Sequence, residues 1–326
     1  MEGIEISIVI PVYNSENCLE QLNNQISQAL QNTCYELILV NDKSRDRSWE
    51  KIVALSQINS KIKGVSLKKN SGQDNAIMAG LSQAKGEFVV IMDDDLQHAP
   101  SDIFKLYQKC KEGYDICYSH FTDKKQSLWK NAGSSLNGYL AALFLKKPKG
   151  LYLSPFKILT RSLVREIIQY KGPFPYIDGI ILSVTSNITY IELAHYKRHT
   201  GSGNYNIFRS VSVFLRHITG YSLYPLRLAA VIGIFSAGLS FLLGCVFLMD
   251  YLTNDRHVEG WITLVLLIVF FNGLILMCVG LIGEYIGRIY LTVTSKPQYI
   301  IDKLISSDFP VMEPSDVNFS KSRNTA

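Results

Sequence analysis

Phe88-Val-Val-Ile-Met-Asp-Asp-Asp95 decides how the chain is read, because an apolar run of strand-forming residues ends abruptly in three carboxylates. A buried strand that stops in acids leaves charge where solvation is poor, and like charges so placed repel unless a cation joins them. Upstream and downstream of this run, short β-rich stretches alternate with stretches of helical period. Strands are predicted over Ile4–Ile10, Glu36–Val40, Lys63–Leu67, Phe88–Met92 and Asp115–Ser119, with helices near 16–30, 48–58, 72–84 and 101–111. That alternation predicts an α/β fold, a doubly wound, mostly parallel sheet covered on both faces. Ligands of such sheets sit at the carboxyl ends of the strands. Here those ends read Pro11-Val-Tyr-Asn14, Asn41-Asp42, Asn70-Ser-Gly72 and Asp93-Asp-Asp95.

The acids at 93–95 come with hard oxygen ligands and with neither His nor Cys beside them. This favours Mg²⁺ or Mn²⁺ shared with a substrate diphosphate, the alternative being acids that cap the next helix. Asp42 could accept hydrogen bonds from a nucleobase or ribose, with Pro11 and Tyr13 as an apolar wall, or it could be a simple turn acid. The segment from Asn70 to Gly80 opens a helix with a glycine that permits close backbone approach, yet it matches neither a P-loop nor a GxGxxG fingerprint. Dehydrogenase and NTPase readings lose their support there.

Of 326 residues, 47% are apolar and 19% charged, against roughly 25% charged in soluble domains. The deficit has a location: Leu228–Met249 and Trp261–Gly283 contain no charged residue. Each exceeds the about 20 residues that cross a bilayer. The apolar start is flanked by Glu2 and Glu5 and stopped by Pro11, unlike a signal peptide. Arg209, Arg216 and Arg227 precede the first span and Arg288, Lys296 and Lys303 follow the second, so the positive-inside rule predicts that both ends of the chain face the cytoplasm. Six cysteines without a CxxC pair suit a reducing compartment. A net charge of +5 without a basic run excludes nucleic acid as the partner and points to the membrane surface. The expected organisation is a domain over 1–206, an amphipathic interfacial helix over 207–227, spans over 228–249 and 261–283 joined by a short loop over 250–260, and a juxtamembrane helix and tail over 284–326. The polar tail after about Ser306 is expected to be disordered, and the assembly to be a homo-oligomer.

Five segments together carry a resemblance: Val9-Ile-Pro-Val-Tyr-Asn14, Val40-Asn-Asp42, Asn70-x-Gly72-Gln73-x-x-Ala76-x-x-x-Gly80, Asp93-x-Asp95-Leu-Gln97 and Gly283-Glu-Tyr-Ile-Gly-Arg-Ile-Tyr290. The chain resembles the polyprenyl-phosphate glycosyltransferases, inverting family-2 enzymes of GT-A fold, from residue 4 to about 301. The resemblance implies transfer of a sugar from a nucleotide diphosphate sugar, a UDP-sugar favoured, to polyprenyl phosphate. It implies that Pro11, Tyr13, Asn14, Asp42, Asn70, Gly72, Gln73, Asp93 and Asp94 serve nucleotide binding. Asp93 and Asp95 would hold the metal, Asp95 would also serve catalysis, and Arg198 would clamp the diphosphate, with Tyr205 ending the same loop. Arg209, Arg216, Arg227 and Arg288 are the candidates for the lipid phosphate.

Gly150-Leu151-Tyr152 stands where many relatives carry an acid in Gly-Asp-Phe/Tyr, ahead of the basic residue matched here by Lys157. Asp178 is the candidate to orient the acceptor instead, the alternative being a helix N-cap. A lipid phosphate is largely dianionic at neutral pH, with a second pKa near 6, and needs positioning more than deprotonation. The rival reading is a catalytically silent, membrane-anchored partner subunit. Intact Asp93-x-Asp95 and Arg198 weigh against it.

Overall fold

The structure is a computed structural model that describes residues 3–121, 151–172, 174–193, 224–253, 260–294, 297–306 and 309–312. Two compact units share the chain: residues 1–205 with 295–326, and residues 206–294.

The first unit is built on β1 (Ile6–Val12), β2 (Tyr35–Asn41), β3 (Ile62–Leu67) and β4 (Phe88–Ile91), which pair in parallel in the order β4-β1-β2-β3. Every residue of β1, β2 and β4 is buried, as expected of strands covered on both faces. The polar exceptions are satisfied at the amino ends. Ser7 donates to Glu36 (2.6 Å), and Glu36 also receives Lys63 Nζ and the Lys85 amide.

The covering helices are α1 (Leu19–Ala29), α2 (Ser48–Ile58), α3 (Gln73–Gln83) and α4 (Ile103–Cys110). α1 buries Leu19, Leu22 and Ile26, and α4 buries Ile103, Leu106, Tyr107 and Cys110, the spacing of one helical face. α3 lies directly on β1 and β2. A Cβ on Gly80 would lie 2.3 Å from Val9 Cγ1 and 3.0 Å from Val40 Cγ2, so only glycine lets the helix lie on β1 and β2 at that depth.

The predicted strands and helices of the first 120 residues all form, with ends shifted by a few residues. Five further strands extend the sheet: β5 (Ile116–Phe121) was anticipated in part, whereas β6 (Lys157–Thr160), β7 (Ile188–Leu193), β8 (Ile301–Ser306) and β9 (Phe309–Met312) were not. The order is β7-β5-β6-β4-β1-β2-β3-β8-β9. β6 runs antiparallel between β4 and β5, with Lys157 opposite both Ile91 and Tyr118. Two short helices, α5 (Arg161–Ile167) and α6 (Ile177–Val184), follow β6.

The tail expected to be disordered after Ser306 instead contributes β9, paired with β8, and β8 runs antiparallel along β3. The physical reason is the β3 edge: an unpaired strand edge in a buried sheet needs a partner, and the apolar positions of Ile301-Asp-Lys-Leu-Ile305 supply one.

In the second unit, α7 (Tyr224–Thr253) and α8 (Trp261–Val293) are long helices. Pro225 lies in the first turn of α7, where its missing N–H costs nothing. Among the described residues one stretch, Phe270–Val293, is long and apolar enough to cross a membrane, with mean hydropathy 1.7, and Ala229–Leu243 is a shorter apolar stretch. Residues 207–223 of the expected interfacial helix lie outside the described residues, and residues 224–227 open α7.

Gly80→Ala is expected to lower the stability of the full chain by about 1–3 kcal/mol through overpacking. Thermal unfolding in detergent measures it, and an unchanged midpoint would mean that α3 can retreat from the sheet without cost.

Candidate active site

The carboxyl ends of β1 and β2 are sewn together by short polar side chains. The Asn14 amide donates to Ser44 Oγ (3.1 Å) while the Arg45 amide donates to Asn14 Oδ1 (2.8 Å). Asn14 and Lys43 both adopt left-handed backbone, with φ of 55°. Asn visits this region more readily than most residues, and here its amide oxygen is used across the strand ends by Arg45. Pro11 is buried in the strand, and Tyr13 stands 45% exposed beyond it.

Asp42 is buried, at 4% exposure, and both of its oxygens are engaged: Oδ1 accepts the Ser71 amide (2.6 Å) and Oδ2 the Gly72 amide (2.8 Å). Asp42 thus anchors the turn that precedes α3, since a buried carboxylate takes the nearest amides. Gly72 has φ of 91° and is the residue that permits the turn. Asn70 is exposed at its start.

The anchored turn aims the first residues of α3 at the acids after β4. Gln73 Nε2 donates to Asp93 Oδ1 (2.7 Å). Asp94 points elsewhere: its Oδ2 accepts the Tyr13 amide (3.4 Å), and burial pushes its carboxyl above the usual range. Asp95 Oδ1 accepts the Gln97 amide (3.1 Å), with Leu96 between them at φ of 60°. A branched residue in that region is strained, a feature that collects at ligand sites. All three acids are half-buried, and Asp93 and Asp95 are the two not turned toward the Tyr13 backbone. Among the described residues no third His, Cys, Asp or Glu joins them in a metal-holding group.

A second polar cluster lies beside this edge. Asp178 occupies the first turn of α6, behind the N-cap residue Tyr176, so it is not the N-cap. Its Oδ1 accepts Lys157 Nζ and the Tyr118 hydroxyl (2.8 Å). Lys157 and Tyr118 are buried cross-strand neighbours, and burial followed by the Asp178 charge pushes the Tyr118 hydroxyl far up. Asp74, in the first turn of α3, accepts the Ile177 amide (3.4 Å). Enclosure and then the Asp178 charge push its carboxyl up to about 6, against the pull of the Ile177 amide and Lys157. Leu151 is buried, so the place of the missing acid is apolar.

The structure therefore brings together Tyr13, Asn14, Asp42, Gly72, Gln73 and Asp93–Asp95 at one edge, with Asp178 beside Lys157. Arg198, Tyr205, Arg209 and Arg216 lie outside the described residues; Arg227 and Arg288 belong to α7 and α8 of the other unit. Asp74 was missed, because an acid in a first helical turn reads as an ordinary dipole partner. Its one visible signal is its position next to Gln73.

Residues 7–168 match the family described as Glycosyl transferase family 2. The chain is 32% identical to the uncharacterized glycosyltransferase YkcC of Bacillus subtilis (strain 168), over 92% of this chain and 94% of that one. It is 31% identical to an undecaprenyl-phosphate 4-deoxy-4-formamido-L-arabinose transferase of Aeromonas hydrophila, over 93% and 94%. Among solved structures, glucosyl-3-phosphoglycerate synthase from Mycobacterium tuberculosis, in complex with Mn²⁺, UDP and phosphoglyceric acid, aligns with a TM-score of 0.50 at 21% identity, covering 67% of this chain and 77% of that chain. That likeness is one of fold, GT-A-like.

Asp42→Asn turns one acceptor into a donor facing an amide. The expected result is a loss of about 1–3 kcal/mol in stability, with weaker binding of UDP as the 71–73 turn loosens. Calorimetry and thermal unfolding report both, and native values in the variant would remove Asp42 from its anchoring role.

Proposed function

Because the chain belongs to glycosyl transferase family 2 and is a glycosyltransferase, we propose that it moves a sugar from a UDP-sugar to a polyprenyl phosphate, undecaprenyl phosphate in a bacterium, with inversion at the anomeric carbon. The observation that carries this reading is the extent of the likeness. A relative named for undecaprenyl phosphate matches over 93% of this chain, too much to leave out the two long helices.

Those helices support a membrane site for the reaction. α7 exposes Ile234 and Phe235 at 73% and 79%, and α8 exposes Leu276 at 70% and Val293 at 74%. Surfaces of that kind are costly in water and natural in lipid. On this reading the domain over 1–206 faces the cytoplasm, and 228–249 and 261–283 are two spans. Arg209, Arg216, Arg227 and Arg288 then meet the lipid phosphate near the headgroups.

Asp93 and Asp95 suit a hard divalent cation that completes its shell with water and phosphate oxygens, since among the described residues the site offers two carboxylates and no closed cage. Bound there, Mg²⁺ or Mn²⁺ would neutralise charge on the diphosphate. The chain's own residues do the positioning. Gln73 holds Asp93, Asp95 caps its own turn, and Tyr13 walls the nucleoside side. Arg198 adds a planar cation for the leaving diphosphate. Asp178, held by Lys157 and Tyr118, orients the acceptor on the other face of the sugar.

Purified full-length protein offered a set of nucleotide sugars and a short-chain polyprenyl phosphate should form a lipid-linked sugar from one of them. Turnover with none would sink the reading in favour of a silent subunit. Asp95→Asn should abolish Mn²⁺-dependent binding of UDP with little change in fold, because an amide replaces a ligand carboxylate poorly. Calorimetry with and without Mn²⁺ decides it, and undiminished metal-dependent binding would take Asp95 out of the site.

A further inference from the structure

The chain ahead of α6 is folded into a turn that Gln298 holds from a distant part of the sequence. Gln298 Nε2 donates to the carbonyls of Tyr170 (2.9 Å) and Gly172 (2.7 Å), and the Tyr170 hydroxyl reaches the Phe174 carbonyl (3.5 Å). Lys171 and Phe174 stand exposed on the turn. Prolines flank Phe174 in Gly172-Pro-Phe-Pro175, and their fixed φ leaves little backbone freedom for a docking step to remove.

A single exposed ring is ordinary on a protein surface. What sets this one apart is the place in the chain of the residue that holds its turn. Gln298 follows Val293, the last residue of α8, by five positions, and the stretch of α8 apolar enough to cross a membrane runs to that same Val293. Five residues reach at most about 18 Å when fully extended. Whatever surface receives the end of α8 is therefore within a short tether of the residue that anchors the turn. Ile300, two residues beyond Gln298, is exposed as well.

We propose that the 170–175 turn is a lipid-surface anchor, with Phe174 entering the boundary between headgroups and acyl chains and Lys171 meeting anionic headgroups. The proposal rests on the reading of α8 as a membrane helix. An aromatic ring beside an ammonium is the pairing that suits that boundary, where the ring takes the apolar side and the cation the phosphates. A patch of one ring falls far below the about 800 Å² that each partner buries in a stable protein interface, which rules against a second copy of the chain as the occupant. It is enough for lipid, because a chain already held by α8 makes the second contact within one molecule and at high effective concentration.

The anchor acts on the acceptor side of the reaction. Only Tyr176 and Ile177 separate Pro175 from Asp178, whose carboxylate Lys157 and Tyr118 hold. Docking the turn brings the start of α6 to the leaflet that presents the polyprenyl phosphate, with Gln298 as the positioning residue.

Full-length Phe174→Trp in vesicles of phosphatidylcholine and phosphatidylglycerol tests the contact directly. The emission it adds to that of the three native tryptophans should be quenched by lipids brominated high on the acyl chain. Adding Lys171→Glu, or leaving out phosphatidylglycerol, should weaken that quenching, and no change in either would overturn the headgroup contact. Added emission that acrylamide quenches from water and brominated lipid does not would overturn the anchor. Protection from both quenchers would overturn it too, because protein would then cover the ring.

In the same vesicles Phe174→Ser should raise KM for polyprenyl phosphate about threefold to tenfold, the worth of one partly buried ring, and leave KM for the nucleotide sugar unaltered. An unchanged acceptor KM would overturn the effect on the acceptor. Absence of lipid-linked product from wild type would overturn the functional reading instead, and the quenching would still decide whether the turn meets lipid.

Discussion

The geometry of the site hangs on one buried carboxylate. Asp42 takes the Ser71 and Gly72 amides on its two oxygens, and that clamp fixes where α3 begins. A helix start displaced by one residue would rotate its side chains by about 100°. Gln73 would then leave Asp93 and Asp74 would leave the Ile177 amide. Charge-assisted bonds to backbone amides are among the stronger ones available to a protein, which suits a joint on which two sides of a reaction site depend. The glycine seat of Gly80 on Val9 and Val40 holds the same helix from its other end.

Three carboxylates in sequence are kept apart by giving each a different task. Asp93 meets the Gln73 amide group, Asp94 turns to the Tyr13 backbone, and Asp95 closes its own turn over Leu96. The loops that do this carry left-handed residues at Asn14, Lys43 and Leu96, one beyond each of β1, β2 and β4. Strain at Lys43 and Leu96, beside the left-handed turn that Asn14 tolerates, is hard to explain by packing, because loops at a surface could relax. It is what a fixed constellation of ligand-facing groups requires.

Much of this was legible in the sequence. The parallel core could be read because strands buried on both faces are continuous apolar runs, as in Phe88–Met92. The acids at 93–95 could be read because they end an apolar run abruptly. Lys157–Thr160 could not be read as a central strand, since four residues opening with lysine carry no periodic signal, and their partners lie far away in sequence. Nor could the role of Asp42: an acid in Asn-Asp-Lys-Ser looks the same whether it faces a ligand or the Ser71 amide. The Asp74 and Asp178 cluster is joined only by β6 and α6 folding beside α3, a long-range fact with no local pattern.

β8 closes the β3 edge with residues that come after both long helices in the chain. During synthesis the sheet is therefore left with an open side until the residues after α8 have been made. An edge of that kind is sticky toward other nascent chains. Completion of the catalytic unit waits on its most C-terminal strands, so a ribosome that stalls within or just after α8 releases a protein whose sheet has no finished border.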